Sequence, residues 1–299
     1  HVAREARAMT PAEMVWLALR PSIFLIVFSL GLRANHADVL YLLSRPGRLS
    51  RSLLAMNVIM PLVAVGLSLA FDLHPAVKTA LVCLSLAPVP PILPKKELKA
   101  GGHGSYVIGL LFAAALLAIV FIPLAEHVLR ILFNVGIDRP PTMVGGVVGV
   151  TVLLPPVAGI LVRRLAPALA ERWASPLNGF ATILLALTCI VLLLSSWKTG
   201  LPLIGNGHVL VIAVFVAVGL IVGHLLGGPE PENRVVLALS TASRHPGVAL
   251  AIATGTSPDE KLVIGAILLY LLVNAALSIA YIKWARQRES VAVAGVAPR

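Results

Sequence analysis

The sequence predicts an all-α polytopic membrane protein with nine transmembrane helices, and three observations support this fold class. Of the 299 residues, 58% are hydrophobic and only 12% are charged, whereas soluble domains carry about 25% charged residues. Apolar runs of about 20 residues recur along the chain, and each is long enough to cross about 30 Å of hydrocarbon as a helix. The runs are continuous rather than alternating, which is typical of membrane helices and not of barrel strands.

The apolar runs define the elements in order. We expect spans at 14–32, 52–71, 76–101, 105–129, 143–162, 177–197, 208–226, 235–255 and 262–282. The connections are short, so residues 1–299 form a single membrane domain. Lys and Arg concentrate in loops such as 33–51 and 163–176, and basic loops stay in the cytoplasm. We therefore expect an integral protein of a bacterial inner (plasma) membrane, with its N-terminus outside and its C-terminus cytoplasmic.

Charge and cysteine usage exclude several function classes. The formal net charge of +11 follows from the basic loops, and it does not indicate nucleic-acid binding because these residues form no single patch. Cys83 and Cys189 lie in apolar runs, so neither a disulfide framework nor a metal cluster is expected. The spans contain no His-Glu-x-x-His motif and no pair of aspartates, which disfavours an intramembrane enzyme.

Prolines interrupt the third span. Residues 86–97 read LAPVPPILPKKE, and the helix breaks are predicted at Pro88 and Pro94, with Pro90 and Pro91 between them. Proline lacks a backbone donor and clashes with the preceding turn, so a helix cannot continue through this segment.

The eighth span is interrupted in the same way, at Pro246 and Gly247 in STASRHPGVAL. Irregular backbone at membrane depth must be buried in protein or line a wet cavity. Paired interruptions in two halves of a chain indicate a transporter binding site. The alternative is two proline kinks with structural roles only.

Arg244 is the principal candidate binding residue. A guanidinium within a span costs several kcal/mol unless it is paired, and it marks function by default. We expect the carbonyls at the C-terminal end of its own half-helix to bind it. The paired N–H groups of a guanidinium also match the two oxygens of a carboxylate. The alternative is that Arg244 only ties the broken backbone together.

Other candidates surround the two breaks. His245 could couple protons, since it titrates near neutral pH, or it could bond the broken backbone. Asn274 and Ser278 share one helix face at i and i+4, where they could reach the cavity or a neighbouring helix. The complete predicted substrate or ion site is Ser240, Thr241, Ser243, Arg244, His245, Asn57, Pro90, Pro91 and Asn274.

Three residues after the first break are predicted to line an inner vestibule. Lys95, Lys96 and His103 would attract an anion there. The favoured alternative is that the lysines are ordinary cytoplasmic charges and that His103 is a loop residue.

Three segments resemble the bile acid:sodium symporter family: 22–33 (SIFLIVFSLGLR), 56–62 (MNVIMPL) and 240–253 (STASRHPGVALAIA). The resemblance implies inverted repeats and two discontinuous helices that cross beside the substrate site. It assigns 14–32, 143–162 and 177–197 to a panel domain. It assigns the other six spans to a core domain: 52–71, 76–101, 105–129, 208–226, 235–255 and 262–282. The implied activity is secondary transport of a small organic anion across the lipid bilayer by alternating access.

The chain departs from the family where sodium would bind. Ser240 stands where the resemblance implies an acidic residue, Arg244 and His245 stand where it implies amides, and Met56 replaces a glutamine. Sodium prefers several oxygen ligands, often with a carboxylate. We therefore expect no cofactor and a transporter that is sodium-independent or proton-coupled, with Arg244 standing where a sodium ion would sit.

Several alternatives stay open at this stage. A channel or a ligand-sensing membrane protein of the same fold would share the broken-helix pattern. The sequence leaves open the substrate, the coupling ion, the direction of transport, and whether the protein is a monomer or a homodimer.

Overall fold

The computed structural model describes residues 21–133 apart from 23, 35 and 91, together with 150, 153–253 and 260–296. Residues 14–20 of the first predicted span, most of 143–152 and the site candidate Pro91 lie outside this part of the chain. All regular secondary structure in the described part is helical, which confirms the all-α class.

Twelve helices are described, in this order: α1 (24–31), α2 (His36–Leu40), α3 (Pro46–Ala70), α4 (Pro75–Leu86), α5 (Leu93–Lys99), α6 (Gly104–Phe133), α7 (Leu154–Leu165), α8 (Pro167–Gly200), α9 (His208–Leu226), α10 (Pro231–Ala242), α11 (Pro246–Ala253) and α12 (Glu260–Val296). A π-helical turn at Leu54–Ile59 lies within α3, and a short 3₁₀ turn at Leu201–Leu203 precedes α9.

Three of the described helices are long and apolar enough to cross a membrane, namely Pro46–Ala70, His208–Leu226 and Lys261–Arg288. Pro75–Leu86 and Gly104–Ala118 are shorter apolar helices. The count of nine spans and the inverted repeats stay predictions.

The chain divides into two compact units. One is drawn from His1–Arg33 and Pro155–Trp197, and the other from Ala34–Leu154 and Lys198–Arg299. The first unit therefore contains α1 and nearly all of α7 and α8.

Within the first unit, glycines let α1 and α7 approach each other closely. A Cβ on Gly31 would lie 2.2 Å from the carbonyl oxygen of Pro156, and a Cβ on Gly159 would lie 2.3 Å from that of Phe28. Only a hydrogen fits at these two positions, as at many close helix crossings in membranes. At the end of α1, Arg163 donates to the Leu32 carbonyl at 3.0 Å.

In the second unit, α9 and α10 form a hairpin that depends on glycine in the same way. Gly219 and Gly223 on α9, and Gly227 directly after it, recur every four residues and share one face. A Cβ on Gly223 would lie 2.4 Å from the Leu237 oxygen, and one on Gly227 would lie 2.4 Å from the Cα of Arg234. The backbones of the two helices therefore touch along this face.

The two breaks lie in the second unit, but their limits differ from those predicted. The first break begins after Leu86, and α5 begins at Leu93 with Pro94 inside its first turn. The second break begins after Ala242, and Pro246 and Gly247 are already the first residues of α11. A first helical turn does not need the proline N–H. Pro94, Pro246 and Gly247 therefore start helices instead of breaking them.

The halves of the two interrupted segments pack against each other. Helix α4 contacts α11, and α5 contacts α10. Helix α12 contacts α4, α10 and α11. This packing brings the two breaks together.

Candidate binding site at two helix breaks

A backbone hydrogen bond joins the two breaks directly. The His245 N–H donates to the Pro88 carbonyl at 2.9 Å. Residues 87–90 and 243–245 are all buried. Because a buried backbone group needs a partner, this bond satisfies one donor and one acceptor that the interrupted helices leave free.

The Arg244 guanidinium lies inside this junction, with the residue only 2% exposed. Its Nη2 donates to the Met56 carbonyl at 2.8 Å, and its Nη1 donates to the Ala87 carbonyl at 3.3 Å. The two acceptors come from α3 and from the end of α4. The expectation that its own half-helix would supply the carbonyls was therefore wrong.

The Met56 carbonyl is available because of the local sequence of α3. In the π-helical turn, the Met60 N–H donates to Ala55 and not to Met56. The next residue, Pro61, has no N–H to offer. A π turn of this kind is often found at functional sites, and here it exposes one carbonyl to the guanidinium.

Tyr270 of α12 completes the backbone hydrogen bonds of the second break. Its hydroxyl donates to the Ala242 carbonyl at 2.7 Å and accepts from the Arg244 N–H at 2.7 Å. One helical turn later, Asn274 donates to the Ser243 Oγ at 3.1 Å.

Ser278 extends this polar face, since its hydroxyl donates to the Asn274 Oδ1 at 3.2 Å. Tyr270, Asn274 and Ser278 are spaced by four residues, so they lie on one face of α12. Asn274 therefore contacts both a neighbouring residue on its own helix and the break.

His245 caps the N-terminus of α11. Its Nδ1 accepts from the N–H groups of Gly247 and Val248, at 3.1 and 3.3 Å. These are the two N–H groups that an N-cap side chain ordinarily bonds. Because Nδ1 is an acceptor, the neutral ring carries its hydrogen on Nε2. Proton uptake at Nδ1 would break both cap bonds, which argues against a proton-coupling role.

Three buried polar atoms at the junction have no hydrogen-bond partner among the described residues. They are the Nε of Arg244, the Nε2 of His245 and the Oγ1 of Thr241. The first two are N–H donors, and a buried donor without a partner is costly. Arg244, His245 and Thr241 therefore each keep a buried hydrogen-bonding atom that no described residue uses.

Ser240 joins the second break to the far side of the first. Its hydroxyl donates to the Glu97 Oε1 at 2.5 Å, and both residues are 1% exposed. The family resemblance implies an acidic residue at position 240, where this chain has Ser240. The carboxyl of Glu97 on α5 contacts this serine.

The other predicted residues have more peripheral positions. Asn57 is half-buried in the π-helical turn, and Pro90 is buried in the first break, where its carbonyl accepts from the Leu93 N–H at 2.9 Å. Lys95 and Lys96 are half-buried on α5.

A groove of about 470 Å³ lies in the second unit, and His103 is among its lining residues: Tyr41, Arg45, Arg48, His103, Glu230, Pro231, Glu232 and Asn233. The two predicted vestibule lysines are not part of this lining. The His103 ring stacks on Tyr41 at 5.2 Å between centroids, and Arg48 forms a salt bridge with Glu230 at 2.8 Å. The pKa of the Glu230 carboxyl lies below its usual value, mainly because Asn233 donates a hydrogen bond to it.

Two junction residues were not found from the sequence. Tyr270 lies inside an apolar run with no signal other than its four-residue spacing from Asn274. Glu97 follows two lysines in the third predicted span, and an acid within an interrupted span was itself a signal.

Residues 20–200 match the model of the Sodium Bile acid symporter family. The chain belongs to this family. The match confirms the resemblance noted in the sequence, and members of the Sodium Bile acid symporter family are membrane transporters. No curated protein matches the chain.

The match to the Sodium Bile acid symporter family covers the first break but ends before α10, so it does not include Arg244. The geometry of the second break is therefore the evidence for its role. At the junction, the carbonyls of Met56 and Ala87 face a guanidinium. Sodium needs oxygen ligands of this type, but the guanidinium already occupies both carbonyls. The residues around Arg244 therefore do not fit a sodium ion.

Proposed function

We propose that this chain is a secondary transporter that moves a small organic anion across a membrane by alternating access, without sodium coupling. The observation that carries the proposal is the buried Arg244 guanidinium, which bonds two main-chain carbonyls at the junction of two helix breaks. A resident positive charge there takes the place of a sodium ion and attracts an anion.

The unused donors support an anion as the substrate. Arg244 keeps an N–H at Nε, and His245 keeps one at Nε2, while Thr241 contributes a hydroxyl. A carboxylate is acceptor-only and bonds well with guanidinium and imidazole N–H groups. The N-terminus of α11 adds little to this site, because His245 already accepts from its Gly247 and Val248 N–H groups.

Family membership and the two compact units support alternating access. We propose that the first unit acts as the panel domain and the second as the core domain. The N-terminus would lie outside and the C-terminus in the cytoplasm of a bacterial inner membrane, as the basic loops indicate.

Uptake into proteoliposomes tests this proposal. Radiolabelled taurocholate and pantoate serve as probes, with sodium present or fully replaced by choline. We expect saturable uptake of at least one probe that does not change when sodium is replaced. A strict sodium requirement would contradict the proposal, and flux that never saturates would favour the channel alternative.

A matched pair of arginine variants tests the role of the charge. Arg244→Gln is expected to abolish this uptake. Arg172→Gln removes an exposed arginine from α8 and is expected to transport normally. Equal uptake by both variants would show that Arg244 does not bind the anion.

A further inference from the structure

Glu97 is a buried carboxyl group that the proposed anion site does not use. It lies on α5, is 1% exposed, and its Oε1 accepts one hydrogen bond, from Ser240 of α10, at 2.5 Å. The hydrogen bond crosses from one interrupted segment to the other. Any change in the distance between α5 and α10 therefore acts on this carboxyl group.

Among the residues that the structure describes, the carboxyl group has no paired countercharge. The charged and titratable groups on and around α5 are Lys95, Lys96 and Lys99 on the helix itself, Tyr106 on α6, and Arg286 on α12. Lys96 interacts electrostatically with Glu97, but within the described part of the chain Glu97 is in no salt bridge.

The neighbouring polar groups of α6 and α12 are engaged elsewhere. The Tyr106 hydroxyl shares a hydrogen bond of 2.8 Å with Ser52, and Arg286 donates to the Lys99 carbonyl. A lone ionised carboxylate in a low-dielectric interior is costly. Glu97 therefore needs a cation in the conformation that the structure describes.

We propose that Glu97 is the cation-binding group of this transporter and that the cation is a proton. This inference rests on the proposed function and adds its coupling ion. In the binding step, the Glu97 carboxylate forms an O–H bond with a proton from one side of the membrane. In the release step, that bond breaks and the proton leaves to the other side, so no other atom or electron is transferred.

The ligands present favour a proton over sodium. Sodium needs several oxygen ligands, whereas among the described residues Glu97 has one oxygen partner in its hydrogen bonds, the Ser240 hydroxyl. A proton needs only the carboxylate and one hydrogen-bond partner. Co-transport of one proton with one monovalent anion would move no net charge.

Infrared spectroscopy of the purified full chain tests for the proton directly. At about pH 6 ordinary exposed carboxyl groups are ionised, so a C=O band of a protonated carboxyl at this pH reports an unusual acid. We expect this band in the wild type and in Glu171→Gln, which changes an exposed residue of α8. We expect Glu97→Gln to lose it.

Ser240→Ala provides a second variant if Glu97→Gln does not fold. It removes the hydrogen-bond donor but keeps the acid, so the band is expected to remain at a shifted frequency. The proposal is overturned if the wild type lacks the band, if Glu97→Gln keeps it, or if Ser240→Ala leaves its frequency unchanged.

Transport of labelled taurocholate and pantoate separates this inference from the proposed function. With one proton per anion, a gradient of about one pH unit drives up to about tenfold accumulation. We expect Glu97→Gln to lose this accumulation while it keeps anion exchange across the membrane. Equal accumulation by Glu97→Gln and the wild type overturns the proton site alone. Absence of any anion uptake by the wild type overturns the proposed function, and the infrared band then decides whether Glu97 binds a proton.

Discussion

At the scale of single residues, the contacts of Arg244 stabilise a permanent charge within an interrupted helix. A charged side chain at membrane depth costs several kcal/mol. Hydrogen bonds to two carbonyls offset part of this free-energy cost. The carbonyls belong to segments that lie 188 and 157 residues away along the chain. Each hydrogen bond to a charged group contributes about 1.5–3 kcal/mol. Arg244 therefore ties three segments together as well as supplying charge.

This residue-scale account predicts that the shape of the cation matters. Arg244→Lys keeps the charge but has a single ammonium that cannot fork between two carbonyls. We expect it to lower the free energy of unfolding by about 1.5–3 kcal/mol, as measured by thermal unfolding in detergent. Arg172→Lys, on the exposed face of α8, serves as the control and is expected to unfold like the wild type. Equal stability of the two variants would contradict the two-carbonyl geometry.

His245 gives a second prediction at this scale. Its Nδ1 acts as an N-cap, and asparagine is also a good N-cap. We expect His245→Asn to keep the stability of the wild type, and His245→Phe to lose about 1 kcal/mol. Thermal unfolding in detergent measures both values. If His245→Asn is as unstable as His245→Phe, the N-cap hydrogen bonds of His245 do not account for its contribution to stability.

The sequence allowed part of the candidate site to be predicted. Arg244 and Asn274 stood out because charge and amide groups are rare within apolar runs. Glu97 and Tyr270 could not be linked to them, since their partners lie 143 and 26 residues away. Only the packing of α5, α10 and α12 brings these groups together.

At the scale of helices, proline and glycine act through their position within each element. The sequence located both interruptions, because Pro88 and Pro246 cannot continue the preceding helix. It did not show where the next helix begins after each interruption, because a proline can also occupy the first turn of a helix. Glycine on α9 has a different role, because it sets the distance to α10.

The hairpin of α9 and α10 gives a prediction at this scale. A Cβ on Gly223 would lie 2.4 Å from the Leu237 oxygen, whereas a Cβ on Gly66 of α3 would meet nothing within 4 Å. Overpacking of this kind costs about 1–3 kcal/mol. We expect Gly223→Ala to lower the free energy of unfolding accordingly and to reduce transport, since α10 leads to Arg244.

The control for this hairpin variant is Gly66→Ala. It is expected to be neutral or to stabilise α3 slightly, because alanine favours a helix over glycine by up to about 1 kcal/mol. Thermal unfolding of both variants checks the pair. If Gly223→Ala were as stable as Gly66→Ala, the close backbone contact would be wrong.

At the scale of the whole molecule, the chain is a transporter-family protein, and we propose that its own Arg244 takes the place of a sodium ion. Family membership over residues 20–200 explains the apolar helices. Among the described residues, Arg244 and Glu97 are the arginine and the glutamate that are buried. Together they predict transport that depends on the anion and on pH but not on sodium.

Sodium binding to the purified protein is the most direct test of this account. Radiolabelled sodium is titrated onto the wild type in detergent, and bound label is measured with and without excess unlabelled sodium. Because the Arg244 guanidinium faces the carbonyls of Met56 and Ala87, the account predicts no saturable binding. Saturable sodium binding that excess unlabelled sodium displaces would contradict it.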